Sequence, residues 1–211
     1  YHNRNRIRIN SHDNLNDPQS KWISAPVDDP KDYIYYTKIK KDMKQKNKLW
    51  HEALLHDIEA SYHNATYFKI FFPEIKKIFD NSDDGLLSLN MRIILFFKEV
   101  FKIPTRIILA SELNLKPKNY APSDASEDLV RICEALGAET YLSGAGGKTY
   151  LDLAPFKKKG IEVRFEDYQH PVYEQNYPGF LPNMAAIDAL FNTGKMPETE
   201  KKMASMPPIQ K

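Results

Sequence analysis

The chain has 211 residues, enough to bury one sizeable core, and its 42% hydrophobic and 27% charged content is that of a globular rather than a disordered protein. A net charge of +2 is too small for a dedicated nucleic-acid binder, and the single cysteine, Cys133, excludes an intramolecular disulfide and a multi-cysteine zinc site. No run approaches the ~18 apolar residues that span a bilayer and no signal peptide is visible, so the expectation is a cytoplasmic chain without a membrane span. The chain opens on Tyr1 inside a polar, basic stretch, which points to a natural N-terminal segment ahead of it.

In chain order, Arg6 to Ile9 alternates polar and apolar residues and predicts a half-buried strand. A Ser-, Asn- and Asp-rich turn over 11–20 and a second apolar segment from Lys21 to Val27 complete a hairpin. Six lysines fall between Lys38 and Lys48. Leu49, Trp50, Ala53, Leu54 and Ile58 share one helical face, so a helix begins near Asn47. A second helix is predicted from Tyr67 to Phe79, with Pro73 arguing against an uninterrupted run unless the helix starts just before it. The spacing of Leu86, Leu87, Asn90, Ile93, Ile94, Phe97 and Phe101 predicts a third amphipathic helix.

The pattern then changes. Thr105 to Ala110 is a short β-branched run of the kind found in buried parallel strands. Ser123 or Asp124 caps a helix with Leu129, Ile132, Cys133 and Leu136 on its apolar stripe, and Gly137 ends it. Thr140 to Leu142 predicts a strand, Ser143 to Gly147 a glycine loop, Lys148 to Lys159 a partial helix, Ile161 to Phe165 a strand, and Leu181 to Phe191 a last helix. Residues 195–211 have no period and predict a disordered tail. The whole reads as α/β: a helix-rich first half, then βαβ units whose mostly parallel sheet carries flanking helices.

Four groups of residues could carry chemistry. The first is YLSGAGGKTYLD, Tyr141 to Asp152. A strand, a glycine loop and a helix N-terminus together can hold an anion, so Ser143, Gly144, Gly146, Gly147 and Lys148 are candidate ligands. The segment is not a P-loop, because Leu142 stands where that motif needs its first glycine. A tight turn needing glycine for its backbone angles is the other reading. The second is DYQHPVYEQ, Asp167 to Gln175, where His170 could act as a general base beside Tyr168, Tyr173 and Gln175. A histidine hydrogen-bonded in a turn is the alternative. The third is Glu52, His56, Glu59 and His63, which lie on one helix face. They lack the zincin spacing and read as a solvated face rather than a metal site. The fourth is Asn90, an amide in an apolar stripe, serving as a structural clasp or a substrate contact. No cofactor or metal is implied.

Several blocks resemble the WbqC-like protein family. They are HNRNRI (His2 to Ile7), WISAPV (Trp22 to Val27), Trp50-His51 followed by Tyr62 and Tyr67-Phe68, Asn90, Ser111-Glu112, YLSGAGGKTYLD, DYQHPVYEQ and the terminal FLPNMAAIDALFNTG. The resemblance implies one domain over residues 1–194, lacking the first strand and the His-Gln-Pro-containing segment with which family members usually begin. It also shows a departure: family members often carry a serine in the helix after the Phe-x-Pro turn, where this chain reads Met184-Ala185-Ala186.

What the resemblance implies about function is a transferase in surface-polysaccharide (O-antigen) biosynthesis that moves an amino-acid or acyl group to an activated sugar. Related phage proteins imply an alternative, amino-acid transfer onto hypermodified DNA bases. A non-catalytic sugar-nucleotide-binding or scaffold protein is a third. The expected partners are an activated sugar or other phosphorylated small molecule and a free amino acid, with DNA only under the alternative. In the transferase, His170 is the base, the Ser143–Gly147 loop and Lys148 hold phosphate, Arg4 and Arg6 clamp a carboxylate, and Asn3, Asn90, Tyr168, Tyr173 and Gln175 contact or orient substrate. The absence of a D-x-D motif makes a conventional glycosyltransferase less attractive.

Overall fold

A computed structural model describes residues 5–11, 19–30, 33–80, 83–113, 115 and 125–197. The chain divides into two compact units, residues 1–104 with 170–211 and residues 105–169. Asn3, Arg4, the capping candidates Ser123 and Asp124, and residues 198–211 of the tail lie outside the described residues.

The first unit opens with a hairpin. β1 (Arg6–Ser11) pairs antiparallel with β2 (Gln19–Ser24), Arg6 opposite Ser24 and Ser11 opposite Gln19. The alternation predicts this pairing, because Ile9 and Ile23 must leave water while Arg8 and its cross-strand partner Trp22 stay on the other face. The lysine-rich segment forms a second, minimal hairpin of β3 (Lys44–Gln45) and β4 (Lys48–Leu49). Its turn residues Lys46 and Asn47 both have positive φ, 51° and 62°, which suits the twist of a two-residue connection.

α1 (Trp50–Tyr62) follows directly. The Glu52 carboxylate accepts the Leu49 backbone N–H at 2.9 Å and so satisfies one of the free donors at the helix start. α2 (Phe68–Asp80) runs through Pro73. The proline removes only the bond to the Lys69 carbonyl, and both residues are exposed, so water replaces it. α3 (Leu86–Val100) buries Leu86 and Leu89, whereas Ile94, predicted on the apolar stripe, is 47% exposed. Trp50, Ile58, Tyr62, Phe68, Phe79 and Phe191 meet Ile9 and Ile23 in one core.

The second unit is built on one parallel pair. The strands numbered here β5 (Thr140–Ser143) and β6 (Glu162–Phe165) run parallel, with Thr140 opposite Glu162 and Ser143 opposite Phe165. α4 (Ala125–Ala135) and α5 (Ala154–Lys158) cover them, placing Val130, Cys133, Phe156 and Val163 in a separate core. Tyr141 stacks on Phe156 with centroids 5.2 Å apart. Burial raises the Cys133 thiol above its ordinary value.

The chain is therefore mixed α/β with six α-helices and small sheets among the described residues, and the expected larger parallel sheet is corrected to this two-stranded pair. The segment predicted as its buried strand, Thr105 to Ala110, joins no ladder among the described residues, and Thr105, Arg106 and Ile107 are exposed. β-branched residues suit a pleated surface, but a strand exists only where a neighbour accepts its backbone bonds. The last helix, α6 (Ala186–Thr193), belongs to the first unit and starts later than the apolar run suggests. Pro182 is followed by Asn183 at φ 62°, a conformation outside any helix. α6 ends at Gly194, whose φ of 70° and 2.6 Å approach to the Tyr67 ring both exclude a side chain. No helix among the described residues is long and apolar enough to cross a membrane.

Candidate functional site

In the first unit a carboxylate is buried at the centre of a polar cluster. Asp188 lies in α6 with no solvent exposure. Its Oδ2 accepts the Tyr62 hydroxyl at 2.9 Å, and its Oδ1 accepts the Tyr173 hydroxyl at 2.8 Å and Gln175 Nε2 at 2.9 Å. Asn192 Nδ2 adds a longer contact of 3.4 Å. The Tyr62 oxygen also accepts the Asn10 backbone N–H at 2.9 Å, tying α1 and α6 to β1. Gln175 is fixed at its other end, donating to the Leu181 carbonyl at 3.0 Å and accepting the Leu181 N–H at 2.8 Å.

Burial pushes the Asp188 carboxyl above its ordinary value, against the pull of the Tyr173, Tyr62, Gln175 and Asn192 donors. Burial, and then the nearby charge of Asp188, raise the Tyr62 phenol well above its own. A carboxylate taken out of water needs partners of this number, since an isolated one would cost several kcal/mol.

His170 sits at the edge of this cluster. Its ring is half-buried, stacked on Tyr173 at 6.3 Å between centroids and edge-on to Phe180 at 5.6 Å. Nδ1 lies 2.8 Å from the Pro171 carbonyl oxygen. A carbonyl can only accept, so Nδ1 carries the hydrogen and Nε2 carries the lone pair of the neutral ring. That tautomer suits a general base acting through Nε2. Asp188 thus orients Tyr173, and Tyr173 supports the imidazole.

Arg6 and Asn90, distant in sequence, come together. Both line a recess of about 60 Å³ whose walls include Ile23, Leu54, Phe79 and Leu89. The Arg6 guanidinium lies 4.3 Å over the Trp22 ring. Its Nε is buried and meets no hydrogen-bond acceptor among the described residues.

The second unit holds the glycine loop. β5 ends at Ser143, which is buried, and a single 3-10 turn spans Ala145–Thr149. The helix N-terminus expected to follow the glycines is not there. α5 begins only at Ala154, so no helix dipole is available to an anion at the loop. A side chain at Gly147 would collide with Ser143 Oγ and crowd Phe165 Cε1 at 3.2 Å, so packing favours glycine here unless those side chains shift. Gly144 and Gly146 differ. Neither has a positive φ, and a Cβ on either would meet nothing within 4 Å. The fold does not demand glycine at these two positions. Lys148 is exposed, its ammonium 5.8 Å from the Phe165 ring, and Tyr168 is 56% exposed.

Glu52, His56 and Glu59 on α1 and His63 just after it are all exposed, and no group of three or more His, Cys, Asp or Glu among the described residues is placed to hold a metal ion. The residues missed from sequence are Asp188 and its partner Tyr62. The available signal was a lone acid inside the apolar helix Ala186 to Phe191, because such a position is tolerated only when the carboxylate is fully partnered.

Comparison with known proteins adds a family. A model described as "WbqC-like protein family" matches residues 1–199. The chain is 26% identical over 193 residues to "Uncharacterized protein Rv1507c" of Mycobacterium tuberculosis (strain ATCC 25618 / H37Rv), covering 90% of this chain and 78% of that protein. No solved structure matches.

Proposed function

Because the chain belongs to the WbqC-like protein family, we propose that it is a transferase of surface-polysaccharide (O-antigen) biosynthesis, joining an amino-acid or acyl group to an activated sugar. The observation that carries the proposal is the 2.8 Å contact between His170 Nδ1 and the Pro171 carbonyl oxygen, with the ring backed by Tyr173. A nitrogen nucleophile arrives as an ammonium ion and must lose a proton before it can attack. In the proposed step Nε2 takes that proton, the nitrogen lone pair forms the new bond to the activated carbon, and the bond from that carbon to the phosphate oxygen breaks. The departing phosphate leaves with the electron pair.

For the second unit taken by itself, the reading is that the Ser143–Lys148 loop binds phosphate. Its support is that Gly144 and Gly146 are free of any packing demand for glycine. Bare backbone at such positions lets a phosphate approach the amide groups, and Lys148 supplies a nearby cation. In the first unit, Tyr173 and Gln175 support the reaction from behind, through Asp188.

The test is turnover of a panel of sugar nucleotides with glycine as the amine, read as nucleotide release. The native chain is expected to release nucleotide, and His170→Ala is expected to lose about 10²–10⁴ of the rate. Unchanged turnover in a folded His170→Ala chain would remove the base assignment. Nucleotide binding without turnover across the panel would replace the transferase with a sugar-nucleotide-binding protein.

A further inference from the structure

We infer that the recess lined by Arg6 and Asn90 is a binding site for a small carboxylate with a short alkyl tail. The inference deepens the transferase reading, on which it rests only for the identification of this carboxylate with the amino-acid or acyl reactant.

Four observations lead to it. First, Arg6 Nε is buried and has no acceptor among the described residues. A guanidinium N–H withdrawn from water and left unpaired is costly, so the position calls for an acceptor that the protein itself does not provide. Second, Trp22 covers the guanidinium at 4.3 Å, while Asn5 Nδ2 donates to the Ala25 carbonyl at 2.8 Å and is turned to holding the hairpin. The ring contact limits the freedom of the guanidinium, and a guanidinium offers paired N–H donors to a carboxylate. Third, the rest of the wall is apolar, including Ile23, Leu54, Phe79 and Leu89, so it suits an alkyl group. Asn90 brings the one amide from α3. Fourth, the recess leaves about 60 Å³ for water-sized groups, where a single water needs roughly 10–15 Å³, so it holds about four to six atoms of that size. That accommodates a carboxylate with a short tail.

The site also has a structural logic. Arg6 begins β1 and Asn90 lies in the second turn of α3, and Ile23, Leu54 and Leu89, which line the recess with them, belong to one core. Such a site is preorganised, so little ordering opposes binding.

The experiment is titration of the full chain with propionate, followed by calorimetry and by the ¹⁵Nε–¹Hε resonance of Arg6. Propionamide, glycine and inorganic phosphate serve as comparison probes. Propionate is expected to bind and to move the Arg6 resonance. Propionamide has the same shape without the charge, and it is expected to bind at least about tenfold more weakly, as loss of a charge-assisted hydrogen bond requires. Arg6→Gln is expected to lose propionate binding by a similar factor. The propionate–propionamide comparison uses only the native chain, so a failure of the variant to fold leaves the test intact. Equal binding of propionate and propionamide, no binding of propionate, or a stronger Arg6-dependent response to phosphate would each overturn the inference. Glycine binding with Arg6 perturbed extends the site to amino acids, and glycine exclusion restricts it to simple acyl carboxylates. Propionate bound at Arg6 in a chain that shows no turnover would sink the transferase reading and leave the site standing.

Discussion

Asp188→Ala isolates the energetic role of the buried cluster. Asp188 accepts the Tyr62 and Tyr173 hydroxyls and Gln175 Nε2 within 2.9 Å. Truncation leaves the Tyr62 hydroxyl, on a side chain with no exposure, as a donor without an acceptor. An orphaned buried donor costs about 1–3 kcal/mol. Gln175 keeps its bond to the Leu181 carbonyl, and Tyr173 is half-buried, so these two add less. Removing a buried charge returns part of the loss. The net destabilisation is about 2–4 kcal/mol, and for a chain of this size the melting midpoint falls by roughly 5–15 °C.

A double-mutant cycle in urea with Tyr62→Phe is the decisive form of the measurement. Tyr62→Phe removes the donor to Asp188 and also strands the Asn10 N–H. If the phenol and carboxylate act as one unit, the two losses are non-additive by about 1–2 kcal/mol. Additivity within about 0.5 kcal/mol would refute the reasoning, because it would mean that the 2.9 Å bond carries no stability of its own.

Two further predictions follow from the same geometry. Gly147→Ala, whose Cβ would strike Ser143 Oγ, destabilises the chain by about 1–3 kcal/mol, whereas Gly146→Ala stays within about 0.5 kcal/mol by thermal melting yet weakens pyrophosphate binding; intact pyrophosphate binding in Gly146→Ala would leave the loop a turn. The raised Asp188 carboxyl gives a pH signature. The folded chain holds its proton above the unfolded value of about 3.9, so stability relative to Asp188→Asn declines as pH climbs from there through the folded value and then levels off. Urea midpoints across that interval check the slope, and a relative gain in stability with rising pH would contradict it.

The elements legible in the sequence are those decided by local pattern. The alternation in Arg6 to Ile9 and the stripe through Trp50, Leu54 and Ile58 each name one face for the core, and β1 and α1 follow. Thr105 to Ala110 has the right composition for a buried strand, but pairing is a tertiary matter that composition does not contain. Asn183 shortens the last helix through a backbone angle that the apolar run does not reveal.

The site divides in the same way. His170, Tyr173 and Gln175 stand out as polar residues in one short block, and the structure links them through Asp188, a residue hidden in an apolar helix. Arg6 and Asn90 are visible singly, while their shared recess depends on how β1 meets α3. The loop from Ser143 to Gly147 is visible as a cluster, yet only the surroundings of each Cβ separate the packing glycine, Gly147, from Gly144 and Gly146.

The central claim is that His170 is a base in group transfer, and nucleotide release from the sugar-nucleotide panel with glycine tests it most directly, with native chain, His170→Ala and His170→Gln compared at equal thermal stability. The account predicts release by the native chain, and a fall of about 10²–10⁴ in both variants. Release at the native rate by either folded variant, or none from the native chain across the panel, would contradict it.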